Sequence, residues 1–73
     1  MPNIQLARNL KYLRLAYGLT QDDLGAFLNI SRQAYSNYEN LKRSPDLDSL
    51  IRLASLYHLS LDDLVSRELS SFM

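Results

Sequence analysis

Residues that start and stop helices stand close together along this chain, and they confine it to short helices. Leu6, Leu10, Leu13 and Tyr17 recur at i, i+4, i+7 and i+11, one face of a helix. Asn3 is suited to cap its start. Gly18 is suited to end it, because glycine takes a left-handed turn cheaply. Thr20 then caps a second helix, whose apolar face is Leu24, Phe27 and Leu28. Asp22 and Asp23 fall in its first turn, where the helix dipole favours anions. Asn29, the best substitute for Gly at a left-handed position, stops that helix. Ser31 caps a third. Lys42 to Ser44 read as a loop, with Pro45 holding Ser44 extended. Asp46 or Asp48 caps a fourth helix, with Leu47, Leu50, Leu53, Ala54 and Tyr57 inward. His58 stands where a C-terminal Gly or Asn is usual. Ser60 caps a fifth helix, with Asp62 and Asp63 in its first turn and Leu61, Leu64 and Val65 inward. The ending from Glu68 to Met73 either extends this helix or frays. No stretch reads as a strand, so the expected fold is all-α, a compact domain of five helices.

Size and charge narrow the function. A chain of 73 residues makes one domain, 1–73, with a thin core and little room for an enclosed substrate pocket. It has no cysteine, hence no disulfide framework or thiolate site, which suits a reducing cytosol. No apolar run is long enough for a membrane span and no signal peptide opens the chain, so the expected location is cytoplasmic. The net charge is zero, but it is unevenly placed. Residues 1–43 carry six cations and three anions; residues 44–73 carry two cations and five anions. A basic front half allows a polyanion on one side, although such asymmetry also serves plain solubility.

The third helix is the informative one. At roughly 100° per residue, Tyr35 and Tyr38 fall on one side. Gln33, Ser36, Asn37 and Asn40 fall on the other. Arg32 and Glu39 lie on one flank, Ala34 and Leu41 on the other. The tyrosines then anchor the helix while the polar groups point away. Exposed helical faces usually favour Glu and Lys, whereas Ser and Asn are poor helix formers. Short amides and hydroxyls do suit base edges: Gln or Asn pairs with adenine, Arg with guanine, Ser with several partners. A solvated face of indifferent composition is the competing reading. Gly25, in the helix before, permits close approach of the next one. A short helix, a turn at Asn29 to Ser31 and a second short helix make a helix-turn-helix over about residues 21–40.

The segments "GLTQ", "LGAFLNIS", "YSNYE" and "SPDLDSLIRLASLYHLSLDDL" occur in the order and spacing of the Cro and phage-repressor (XRE-type) family, which the chain resembles from about residue 6 to 65. The resemblance implies a lambda-repressor-like domain whose third helix reads the major groove of a double-stranded DNA operator. It implies base reading by Arg32, Gln33, Ser36 and Asn37. Phosphate contacts would come from Gln21, which could instead support the first reading residue, and from Asn40, Lys42 and Arg43. Leu24, Leu28, Ile30, Tyr35 and Tyr38 take the buried positions, and Arg14 and Glu39 resemble a pair tying the first helix to the third. The sequence departs from the family where the usual glycine after the recognition helix is Leu41, a residue that resists a left-handed turn. Either the helix runs on there or the loop takes a different path.

Other features read blandly. His58 has no cysteine or clustered carboxylates for a metal site. Asp22–Asp23 and Asp62–Asp63 are adjacent on their helices and do not face each other for acid–base work. No serine has a histidine at a credible spacing, so no enzyme, metal, cofactor or small-molecule substrate is expected. Leu69, Phe72 and Met73 in the tail 66–73, with an outward Leu15, suggest a homodimer through the fifth helix and tail, although a frayed end is the alternative. The expected function is a sequence-specific transcriptional regulator, by default a repressor. The competing class is a protein-interaction module, antitoxin-like or an adaptor, on the same scaffold.

Overall fold

A computed structural model describes residues 3–69 as five helices, with no strand among the described residues. They are α1 (Ile4–Ala16), α2 (Gln21–Leu28), α3 (Arg32–Glu39), α4 (Leu47–Leu56) and α5 (Leu61–Ser66). Each begins at a residue whose side-chain oxygen accepts an otherwise unpartnered backbone N–H. These caps are Asn3, Thr20, Ser31, Asp46 and Ser60. At Thr20 the cap is reciprocal: Asp23 returns a carboxylate to the Thr20 N–H at 2.8 Å.

Three of the four connections close in one way. Gly18, Asn29 and His58 adopt left-handed backbone, with φ of 69°, 59° and 57°. The next N–H, from Leu19, Ile30 or Leu59, turns back to the carbonyl of Arg14, Gly25 or Ala54 at 2.8–2.9 Å. This is the Schellman closure, which satisfies carbonyls a helix end would leave open. Leu19, Ile30 and Leu59 then pack against the core, and the following residue caps the next helix. Gly25 is needed where α2 meets this turn. A Cβ there would lie 2.9 Å from the Ile30 carbonyl oxygen and 3.2 Å from the Arg32 nitrogen.

The fourth connection settles the path after α3. Leu41 is itself left-handed, at φ 64°, so α3 neither runs on nor takes a different exit. The N–H groups of Lys42 and Arg43 both donate to the Asn37 carbonyl, at 3.0 and 3.2 Å. These bonds hold a conformation that costs an L-residue roughly 1–2 kcal/mol.

Leu6, Leu10, Leu13, Leu24, Leu28, Tyr35, Leu53, Tyr57, Leu64 and Leu69 form the core. Within it α2 packs mainly on α3, α1 on α3 and α5, and α4 on α5. Several apolar positions depart from the expected inward faces. Leu47 is 64% exposed, because it lies on the first turn of α4 at the rim of the stripe. Phe27 and Tyr17 are also exposed, each covered on one side. Arg52 lies over the Phe27 ring at 5.5 Å, and the Tyr57 ring meets Tyr17 edge-on at 5.0 Å. The tail residue Leu69 is buried in its own domain and so is unavailable to a partner. Phe72 and Met73 lie outside the described residues. Leu15 is exposed, as are Ile4 and Ile51.

One buried polar residue sits in the middle of the α1 stripe. Asn9 is fully buried, and its amide nitrogen donates to the carbonyls of Leu64 (2.8 Å) and Arg67 (2.6 Å). Its oxygen accepts from Gln5 (3.0 Å) and from the Leu69 N–H (3.3 Å). Together with Asn3, whose Nδ2 donates to the Val65 carbonyl at 2.8 Å, this amide satisfies open carbonyls at the end of α5 and fastens it to α1.

Candidate nucleic-acid interface

What α3 presents to solvent follows from how it is seated. Tyr35 is fully buried, Tyr38 is half-buried, and the two rings meet edge-on at 6.0 Å. Fixing these rings turns the opposite side outward. Arg32, Gln33 and Asn40 are exposed there, and Ser36 and Asn37 are half-exposed. Lys42 and Arg43 are exposed just beyond the helix. None of these polar side chains is packed into the domain.

The rotation of α3 is also held by ionic contacts. The Glu39 carboxylate is only 2% exposed and takes four bonds. Arg14 donates through Nε at 2.8 Å and Nη2 at 3.1 Å, Tyr35 through its hydroxyl at 2.6 Å, and Gln21 through Nε2 at 3.3 Å. Arg14 also donates to the Leu19 carbonyl at 3.1 Å, inside the first connection. Burial pushes the Glu39 carboxyl up, but hydrogen bonds from Arg14, Tyr35 and Gln21, with the Arg14 charge, outweigh it and hold the pKa below 4.5. The bond to Glu39 chiefly raises the Arg14 pKa. Burial, then the same carboxylate, raises that of Tyr35. Gln21 is therefore held toward Glu39 by one N–H, which leaves its carbonyl oxygen and second N–H for another partner.

A polar cleft of about 570 Å³ opens beside this network. Gln21, Arg32 and Asn40 line it together with Lys11 and Thr20. The fold thus brings three of the expected DNA-contacting residues around one hollow and adds Lys11, which sequence reasoning passed over. The signal for Lys11 was available: it lies off the Leu6–Leu10–Leu13 stripe, three residues before Arg14. Lys42 and Arg43 do not line the cleft; they stand at the far end of α3. Among the described residues no three His, Cys, Asp or Glu side chains gather as a metal would require, and no helix is long and apolar enough to cross a membrane.

This arrangement has known counterparts. A helix-turn-helix family model matches residues 10–64. The HTH-type transcriptional regulator ImmR of Bacillus subtilis (strain 168) is 38% identical over 65 residues, covering 89% of this chain and 51% of that protein. The HTH-type transcriptional activator BcrR of Enterococcus faecalis is 32% identical over 65 residues, covering 89% of this chain and 32% of that one. The crystal structure of a transcriptional regulator from Listeria innocua superposes with a TM-score of 0.81 at 38% identity, over 84% of this chain and 57% of that one. The chain thus spans about half the length of ImmR.

Proposed function

The chain belongs to the Cro/C1-type (XRE) helix-turn-helix family, and from that premise we propose that it is a cytoplasmic, sequence-specific DNA-binding regulator of transcription. The observation that carries this reading is the seating of α3, with Tyr35 inward and Arg32, Gln33, Ser36 and Asn37 outward. Those four side chains read bases in the major groove. Gln21, Asn40, Lys42 and Arg43 hold phosphates and fix the register. Lys11 adds a cation to the cleft that Gln21, Arg32 and Asn40 share.

Repression by occlusion of the promoter is the simplest outcome of operator binding. One relative carries the name of an activator, so the direction of control is a matter for transcription assays. The protein acts as a homodimer on a two-fold operator, because one reader of this size contacts few bases and linkage multiplies affinity. The fifth helix supplies the contact, without Leu69.

Selection from random duplexes tests the reading. A short two-fold consensus is expected. On it, Gln33→Ala flattens the preference at one base pair, since a bidentate contact is worth about 1–3 kcal/mol of discrimination. Lys42→Ala weakens all sequences alike and lowers the salt slope by about one ion. Failure to enrich any sequence, or equal loss on every duplex for both variants, refutes the assignment. An interaction module docking through apolar residues instead binds its partner with little dependence on salt.

A further inference from the structure

A second hollow lies on the side of α1 turned away from the core. It measures about 430 Å³, and Ile4, Ala7, Tyr12, Leu15 and Leu41 give it an apolar lining. Ile4 and Leu15 are 61% and 58% exposed, whereas Ala7 is buried. These two exposed residues lie about three turns apart, so the groove runs roughly 16 Å along the helix. Across from α1 stands Leu41, held in left-handed backbone at φ 64°. Strain of this kind gathers at binding sites, where the surroundings over-determine it. Glycine would relieve the backbone but remove the apolar wall.

Charge selects the occupant. Arg8 and Lys11 stand exposed on the lining, and neither makes an ion pair among the described residues. Glu39, the acid on the lining, is already bonded by Arg14, Tyr35 and Gln21. A second copy of the chain suits this groove badly. Two α1 helices related by a two-fold axis would set Arg8 and Lys11 against their own counterparts. The acidic α5 has six residues, roughly 9 Å, too short to fill the groove.

We infer that this groove receives an acidic amphipathic helix from a protein partner. Apolar side chains at i, i+4 and i+7 of that helix enter between Ile4, Leu15 and Leu41, and flanking carboxylates pair with Arg8 and Lys11. Lys11 and Leu15 also line the polar cleft. The partner therefore occupies a cation that the cleft offers to DNA, and partner and operator weaken each other's binding by the same factor. That coupling rests on the DNA-reading function; the groove does not.

The full chain tests this by selection from displayed random peptides of about 16 residues, long enough for four helical turns. The enriched sequences are expected to carry apolar residues at helical spacing with Asp or Glu beside them. The best peptide, made synthetically and labelled, is then titrated by fluorescence anisotropy. Leu41→Gly is expected to weaken it by about tenfold, the scale of one lost apolar anchor, in a chain that circular dichroism shows folded. Ile4→Glu is expected to do the same from the other end, and Arg8→Glu to weaken it several-fold. The unlabelled peptide is expected to lower affinity for the selected duplex by about 5- to 150-fold. No enriched peptide, a consensus without acids, or binding indifferent to Leu41→Gly and Ile4→Glu overturns the inference. So does self-association of the chain that these variants abolish in sedimentation, which assigns the groove to a second copy. Decanoate saturating the groove at lower concentration than the peptide assigns it to a small apolar acid and overturns it too. A peptide that binds there and leaves duplex affinity unchanged overturns the coupling. If no duplex is enriched, the DNA-reading function falls, and the groove is judged on its peptide alone.

Discussion

Replacing Asn9 gives a sharp test of how the domain is held together. The Ala variant removes the donor to the Leu64 and Arg67 carbonyls and the acceptor for the Leu69 N–H; the first and third bonds are buried and the second part-buried. The lost bond from Gln5 counts little, because that side chain can turn to water. Each of the three backbone bonds is worth about 1 kcal/mol net, and more where the group is left dry. The expected loss is therefore about 2–4 kcal/mol. With ~2.1 cal/mol/K of unfolding entropy per residue over 73 residues, the melting temperature falls by roughly 13–26 °C. Asn9→Asp preserves the shape but sets a carboxylate oxygen against two carbonyl oxygens that now receive an N–H. At neutral pH it is expected to be worse than Ala. Its carboxyl pKa in the folded state is raised above the unfolded value of about 3.9. Its stability relative to Asn9→Ala is thus greatest below that pH and falls as the pH rises toward the folded-state value. Thermal melts of all three proteins at pH 4 and pH 7 read both effects. An Ala variant within about 1 kcal/mol of the parent, or an Asp variant no worse at pH 7 than at pH 4, refutes the role assigned to Asn9.

Three further outcomes follow from the same geometry. Because the folded-state pKa of Glu39 is depressed, its contribution is present above pH 4.5 and is lost as pH falls through the lower folded-state value; the stability gap between the parent and Glu39→Gln should close over that acid window in chemical denaturation. The Tyr57 hydroxyl is buried, finds no hydrogen-bond partner, and has its pKa pushed up to about 12, chiefly by burial. Tyr57→Phe should therefore be neutral or stabilising by up to about 1 kcal/mol, whereas Tyr35→Phe, which loses the 2.6 Å bond to Glu39, should cost about 1.5–3 kcal/mol in urea melts. At Leu41, the Gly variant should be more stable than the Ala variant by about 1 kcal/mol, because both lack the leucine branch beyond Cβ and only glycine, without a Cβ, relieves the left-handed backbone; equal midpoints would argue against strain there.

Much of the fold was legible because its signals are local. A capping oxygen at Thr20, Ser31 or Ser60 reaches an N–H three residues on, and no distant partner is needed to recognise it. The outward side of α3 was legible for the same reason: two tyrosines at i and i+3 fix the rotation. Tertiary events were not. Asn9 was hidden because its partners lie 55 or more residues away, although a lone polar residue inside an apolar stripe was a usable warning. Leu47 and Phe27 were placed inward by periodicity, which locates the centre of a stripe better than its edges. Leu41 was judged on intrinsic backbone preference, and two hydrogen bonds to the Asn37 carbonyl prevailed over that preference.

The shared geometry at Gly18, Asn29 and His58 bears on how such a scaffold can change its address. Each joint sets the angle between successive helices mainly with main-chain atoms and one inserted aliphatic group, with Arg14 adding a bond to the Leu19 carbonyl at the first, and the outward side chains of α3 take no part in these bonds. Those side chains are free to be exchanged without bending the frame that carries them. Under the proposed function, exchange of a few such surface groups alters the preferred operator while the posture of α3 stays constant.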